Sequence, residues 1–365
     1  MHDLRLGDVE QELVLACLRP DADEPLAELV RREVRWDDIL VAGLWHKVAF
    51  LVYERLRATG LLDVALTEGN LPLLLLNHWK QLTKVNARRS ALYLDVAHRV
   101  SAAATDAGVD LVVSKGGPLL FGSVYTVAER KTYDVDFLAR RADVAAVEAV
   151  MEGCGFAYGE YSHAREQVLP PRPRARRDHL LQGRGLPNFL AVPDDPVIDY
   201  LVAQVRFRIG HGHGEFSVAA DPLIDAAVVA EGMRRVAPVD LAIQLALHIY
   251  REAVEAEYRP WNLTWNLIKL CDLDRYGRSA ECPRPEEIAA RAAELGLTGP
   301  VAFGVAATAD VLPSAPLAAM LAAVGATDAE AERSVSLVRD GLWRAGAELS
   351  PQTGGWFALS GPKST

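Results

Sequence analysis

The chain has 365 residues, half of them hydrophobic, and a formal net charge of -10, which is enough apolar material for a sizeable core and for two or three domains or subdomains. The acidic balance argues against extended non-specific contact with nucleic acid, although a local basic patch is compatible with it. The four cysteines, Cys17, Cys154, Cys271 and Cys282, are scattered and form no C-x-x-C pair, so a structural zinc site or a disulfide framework is not expected and a reducing compartment fits.

The polar, acidic start MHDLRLGDVEQE does not read as a secretory signal. No apolar run approaches the ~18 residues of a membrane span. A soluble, cytoplasmic protein without membrane contact is expected. Residues 8–19 read as a helix ended by Pro20, PDADEP as a loop, and 25–34 as a second short helix. Asp37 suits the N-cap of a third. Behind it Ile39, Leu40, Leu44, Val48, Leu51, Val52 and Leu56 recur at helical spacing, with His46 among them as a core or groove-lining side chain. Leu73 to Gly108 reads as one or two long helices carrying Arg88, Arg89 and His98 on polar faces, with Gly108 as the stop.

The next stretch organises the rest. Val109 to Val113 is an apolar run that predicts a buried strand. Ser114-Lys115-Gly116-Gly117 breaks it, and Leu119, Leu120, Val124 and Tyr125 follow with helix-like spacing. A polar loop bears Glu129, Arg130 and Lys131, and Tyr133 to Leu138 reads as a second strand. Asp134 and Asp136 sit two apart in it and project to one face. Two desolvated carboxylates side by side repel unless a cation compensates, and Mg2+ is the economical one.

Arg141 to Gly153 reads as an amphipathic helix. Residues 165–188 carry Arg165, Arg172, Arg174, Arg176, Arg177 and Arg184 among four prolines, and read as a basic loop or flap: a solvated connector, or an electropositive rim for phosphates or an acidic substrate. Val197 to Ile209 alternates like a strand, then a glycine- and histidine-rich turn places His211 and His213 together, more simply as a surface turn than as a metal site. From Asp221 onward the chain is mainly helical, including Pro238 to Tyr258 and the stretch around Leu263 to Cys271. The tail after Leu349 is expected to be poorly ordered.

As chemistry, a strand, a Gly-Gly break and a helix start offer backbone N–H groups to phosphate. Adjacent carboxylates can hold Mg2+ against the same phosphates, and Lys115, Arg130 and Lys131 can offset their charge. Together these parts suit phosphoryl or nucleotidyl transfer.

The segments VVSKGGPLLFGSVY and ERKTYDVDFL resemble the uncharacterised nucleotidyltransferase family, a branch of the DNA polymerase beta-like nucleotidyltransferase superfamily. The matching positions are Lys115, Gly116, Tyr125, Arg130, Asp134, Asp136 and Leu138. WDDILVAGLWHKVAFLVYERL, DLAIQLALHIY and NLIKLCDL resemble the family's flanking helical regions, so the likeness covers roughly residues 10–275, with specific motifs in 112–138. The resemblance implies an α+β fold: a small mixed-sheet nucleotidyltransferase core embedded between N- and C-terminal helical regions. The corresponding division is 1–90 helical, 91–216 core with the basic loop, 217–349 helical and 350–365 flexible tail. It implies transfer of a nucleoside monophosphate from an NTP, ATP by preference, to an acceptor hydroxyl. The implied reaction uses two Mg2+ ions: Asp134 and Asp136 would bind them as the catalytic pair, while Lys115, Gly116, Gly117 and Arg130 form the nucleotide site, the glycines cradling the triphosphate and Lys115 and Arg130 neutralising it or bracing the site.

A third carboxylate is expected in a strand resembling E-L-H-W-R-L. The matching residues here are Gln204 to Ile209, with Gln204 at the acid and Arg206 at the histidine. Asp199 lies on the opposite face by parity, and Asp194, Asp195 and Glu215 fall in turns. A turn carboxylate supplies the function, or the acceptor brings its own anion, or catalysis is altered or lost. Gln204, Arg206 and Arg208 share a face and could contact phosphates or an acidic acceptor. The leading expectation is an Mg2+-dependent nucleotidyltransferase acting on a small molecule or peptide, with antibiotic modification and natural-product biosynthesis both open. The alternatives are a nucleotide-binding or partner-binding protein that kept the fold, and a toxin-like transferase acting on RNA or protein.

Overall fold

A computed structural model of the chain describes residues 6–121, 124–171, 174–183, 185–210, 216–254 and 266–325. It opens with five short helices: α1 (Asp8–Leu18), α2 (Asp23–Leu29), α3 (Trp36–Trp45), α4 (Ala49–Ala58) and α5 (Leu61–Thr67). Helix α2 begins inside the expected loop, because Pro25 falls in its first turn, where a missing N–H costs nothing. The expected cap at Asp37 is not formed. Arg35 is the N-cap residue, and Asp37 and Asp38 lie in the first turn, where carboxylates meet the positive end of the helix.

The apolar spacing through 39–56 does not make one helix. The chain breaks at His46–Val48, where Lys47 takes a left-handed φ of 60°, and α4 folds back on α3. Gly43 permits the fold-back, since a Cβ there would meet Ala49 Cα at 2.9 Å. The break sets the Lys47 ammonium 5.1 Å from the centre of the Tyr133 ring.

Helix α6 (Leu73–Asp106) is a single 34-residue helix that ends before Gly108, as its sequence predicts. Next come β1 (Leu111–Ser114), α7 (Gly116–Phe121), β2 (Val135–Ala139), α8 (Val144–Gly153), β3 (Ala157–Tyr158), β4 (Glu160–Ser162), β5 (Gln167–Leu169), α9 (Ala175–Gln182), β6 (Phe189–Ala191) and β7 (Leu201–Arg206). A second run holds β8 (Arg208–Gly210), β9 (Ser217–Ala219), α10 (Asp221–Asp225), β10 (Val228–Ala230) and β11 (Met233–Arg235). The chain then turns helical in α11 (Pro238–Val254), α12 (Leu267–Arg278), α13 (Pro285–Glu294), α14 (Thr298–Val311) and α15 (Ala315–Val324).

The architecture is α+β. Seven strands form one mixed sheet in the order β10-β11-β1-β2-β7-β6-β3. Strand β2 runs antiparallel to β1 and parallel to β7. The hairpin β10–β11 joins through β11, parallel to β1, so the sheet continues past residue 216 into a stretch expected to be helical. The period-2 pattern sorts the two faces. Val113, Val135, Phe137, Ala203 and Val205 pack against Tyr93, Val96 and Val100 of α6 and Val147 and Met151 of α8. Val112 and Leu138 join the core of the C-terminal helices on the other side. Each fully buried valine, leucine, methionine or phenylalanine among these contributes about 1.5–3 kcal/mol.

Two expectations change. The basic stretch 165–188 is not all loop: Ala175–Gln182 is proline-free and forms α9, closed by Gly183 in the left-handed conformation. The strand expected over 197–209 is shorter, because pairing with β2 and β6 ends by Arg206 and the chain leaves into the β8–β9 hairpin. The tail after Leu349 lies outside the described residues. No helix among the described residues is long and apolar enough to cross a membrane.

Candidate active site

Strand register sets the first feature. Ser114 on β1 opposes Asp136 on β2, and Asp136 opposes Gln204 on β7. Directly opposed residues share a face, so a hydroxyl, a carboxylate and an amide form one row on the side of the sheet that faces α11. Asp134 precedes β2 by one residue, and its carboxyl is close enough to Asp136 for the two charges to repel.

The two aspartates differ in their company. Asp136 is buried, and its Oδ1 receives the Lys115 ammonium at 2.8 Å. Lys115 adopts a left-handed φ of 51°, which its backbone tolerates because two contacts fix it. Its Nζ reaches Asp136, and its N–H donates to Gln244 Oε1 of α11 at 3.2 Å. Asp134 is half-buried and forms no hydrogen bond or ion pair with any described residue. Burial, and then the neighbouring Asp136, raise its pKa above the ordinary value, against the pull of Lys115, Lys47 and Arg130.

Arg130 is not offered to solvent. Its guanidinium binds Asp272 of α12 in bidentate fashion, Nε to Oδ1 at 2.9 Å and Nη2 to Oδ2 at 2.8 Å. Burial opposes its charge, but Asp272 prevails and raises its pKa. The guanidinium lies against Gly116, where a Cβ would approach Nη1 and Nη2 to 2.8 Å. The small side chain at 116 is therefore required by an arginine of the chain itself. Arg130 braces the turn that carries Lys115, Gly116 and Gly117.

The loop before β2 is clasped by one face of α6. Asn86 Nδ2 donates to Ala128 O at 2.9 Å and to Arg130 O at 3.3 Å, and Ser90 Oγ to Arg130 O at 3.3 Å. Tyr93 O–H donates to Tyr133 O and accepts Val202 N–H at 3.1 Å, tying the loop to β7. Sequence reasoning missed Asn86, Ser90, Tyr93, Gln244, Asp272 and Lys47. The one available signal was the spacing of Asn86, Ser90 and Tyr93, four and three apart, which puts polar groups on one stripe of a helix.

On β7, Arg206 Nη2 donates to Gln204 Oε1. The structure thus joins Gln204 and Arg206 to the aspartates but not Arg208, which is exposed on β8 and binds Ser217 Oγ at 2.8 Å and Ser217 O at 3.0 Å. Among the described residues, neither Asp195 nor Asp199 supplies a third acid. Asp195 is held by Arg88 at 2.6 Å and accepts the N–H groups of Val197 and Ile198, and Asp199 is exposed near His163. Glu215, His211, His213, Arg172 and Arg184 lie outside the described residues. Glu252 of α11 is buried but engaged, by His248 Nε2 at 3.0 Å and by the Lys269 ammonium. Burial, then Arg251 and the lysines around it, hold the His248 pKa well below the usual range.

Among the described residues no group of three or more His, Cys, Asp or Glu side chains could hold a metal ion. Two carboxylates remain. Mg2+ takes one or two protein carboxylates and completes its shell with phosphate oxygens and water. Asp134, desolvated and without a donor, has the unmet demand that such an ion satisfies. The donor set fits one hard divalent ion.

Residues 32–313 match the model of a family described as an uncharacterised nucleotidyltransferase. No curated protein and no solved structure matches the chain.

Proposed function

Since the chain belongs to the uncharacterised nucleotidyltransferase family, we propose that it moves a nucleoside monophosphate from an NTP, ATP by preference, to an acceptor on a small molecule or peptide. Asp134 and Asp136 hold Mg2+, which when bound draws charge off the phosphates. Gly116 and Gly117 present backbone N–H groups to the triphosphate. Lys115 moves between two partners: it neutralises Asp136 in the free protein and a phosphate oxygen in the complex. Arg130 keeps this turn in place through Asp272. Arg206 adds positive charge beside Gln204.

The observation that carries this reading is the contrast between Asp136, matched by Lys115, and Asp134, half-buried with no donor. A buried carboxylate left uncompensated is costly, and a cation arriving with substrate removes the cost. The test is pyrophosphate release from each NTP with Mg2+ and candidate acceptors, compared with Asp134→Asn and Asp136→Asn. Release that both variants abolish supports the reading.

A second reading has its own observation. Lys115 already occupies Asp136, and Gln204 is occupied by Arg206, as in a protein that binds nucleotide without turning it over. NTP binding with no pyrophosphate under any condition would establish that reading in place of the first.

A further inference from the structure

One cluster is not used by the dyad. Two ammonium groups converge on the ring of Tyr133: Lys131 Nζ lies 4.6 Å from its centroid and Lys47 Nζ 5.1 Å. Lys47 comes from the α3–α4 break and Lys131 from the loop clasped by α6. A third cation, Arg89 of α6, bears on the same spot. Neither lysine forms a hydrogen bond or ion pair with a described residue. Burial first, then Arg89 and Lys47, bring the Lys131 pKa down to about 8. Tyr133 is 38% exposed, so the cluster opens to solvent.

Three like charges on a partly desolvated aromatic face repel one another. Asp134 and Asp272 offset part of this at Lys47, whereas Lys131 feels only desolvation and its fellow cations beside the weak pull of the ring. An incoming anion would offset the rest. The cluster adjoins the dyad, since Tyr133 is bonded to Asp134 and Lys47 bears electrostatically on Asp134.

The second observation concerns the base. An alcohol acceptor must lose a proton to attack phosphorus, and a general base within reach normally takes it. Among the described residues, Gln204, in register with Asp136, cannot, and Asp195, Asp199 and Glu252 are each placed or engaged elsewhere.

Resting on the transferase reading above, we propose that the acceptor is an anionic oxygen nucleophile, a carboxylate or a phosphate, received by Lys47, Lys131 and Arg89 over Tyr133. The acceptor oxygen carries a lone pair and no proton. It forms a bond to the α-phosphorus as the bond from that phosphorus to the bridging oxygen breaks. The electron pair leaves with pyrophosphate, and no proton is transferred. A carboxylate yields an acyl nucleotide and a phosphate yields a phosphoanhydride.

The test uses the full chain with Mg2+ and α-labelled ATP against minimal acceptors in matched pairs: acetate with ethanol, and inorganic phosphate with methanol. Acetyl adenylate is trapped with hydroxylamine, and attack by phosphate is read as labelled ADP. Product from an anion and none from its alcohol is expected. Acetate alone or phosphate alone identifies which source of anion is used. Lys131→Met is expected to raise the KM for the anion at least tenfold, with Lys131→Arg restoring most of it. Arg99→Met, which removes an exposed cation elsewhere on α6, should change neither KM. Product from the alcohols in preference overturns the inference and leaves the transferase reading standing. An Lys131→Met variant that weakens ATP binding while leaving the KM for the anion unchanged also overturns it, by assigning the cluster to the triphosphate. ATP binding without product from any acceptor overturns both.

Discussion

Asp136 and Gln204 oppose each other directly across the parallel pair β2–β7, with Arg206 donating to the glutamine's carbonyl. An amide thus stands next to a buried carboxylate where a third acid would share a metal ion. The substitution Gln204→Glu should restore that acid. We expect Mg2+ affinity, measured by titration calorimetry, to rise about tenfold, or about 1.4 kcal/mol, and turnover of alcohol acceptors to increase. Unchanged Mg2+ affinity would mean that Arg206 captures the new carboxylate and that the position is closed to metal.

Asp134 carries the cost of the site. Its pKa is raised by burial and by Asp136, so relative to the unfolded chain its ionised form is disfavoured. The resulting loss of stability begins as pH rises past 3.8 and is complete above the native pKa. Asp134→Asn removes it. The variant should melt higher than the parent at neutral pH without Mg2+, by a gain of up to about 2 kcal/mol, and release no pyrophosphate. A lower melting temperature would contradict the electrostatic account.

Arg130 and Asp272 form a bidentate pair, with side chains 14% and 4% exposed. Arg130→Met leaves a buried carboxylate uncompensated, at about 3–5 kcal/mol, and should lower Tm by roughly 5 °C or more. Arg130→Met with Asp272→Leu should recover much of the loss, because the unpaired charge is gone. Equal losses in the single and double variants would reduce the pair to packing alone.

Lys131 supplies a pH signature. Lys47, Arg89 and the Tyr133 ring face it, and its pKa is about 8 against an ordinary 10.5. Between these values the native chain binds fewer protons than the unfolded one, so this lysine makes stability rise with pH in that window and costs most below it. Chemical denaturation at pH 7.5 and pH 10 should show a rise that Lys131→Met flattens. The KM for an anionic acceptor should increase as pH passes about 8, and a flat KM across pH 7–9 would count against Lys131 as its contact.

Much of the site was legible along the chain. Lys115, Gly116, Gly117, Asp134 and Asp136 fall within 22 residues, where period-2 and period-3.6 patterns act over short range and mark a strand, a turn and a helix start. Gln204 could be read by motif at the expected acid position, and the parallel register sets it beside Asp136. Arg208 was assigned to the same face by parity, but strand pairing ends before it and the hairpin carries it away.

The sequence by itself determined the α+β class, the family resemblance and the pair of aspartates, because each is encoded in local periodicity or in a contiguous motif. The tertiary structure alone decided which charges meet. Arg130 finds Asp272 across 142 residues, Gln244 meets the Lys115 backbone across 129, and Lys47 reaches Tyr133 through a left-handed break inside a helical pattern. Contacts of that range depend on how helices dock on the sheet, and the strength of a charge depends on the burial that docking creates. The same packing pairs Arg130 with Asp272, the bracing role read for it beside phosphate neutralisation, and leaves Asp134 without a hydrogen bond or ion pair to any described residue.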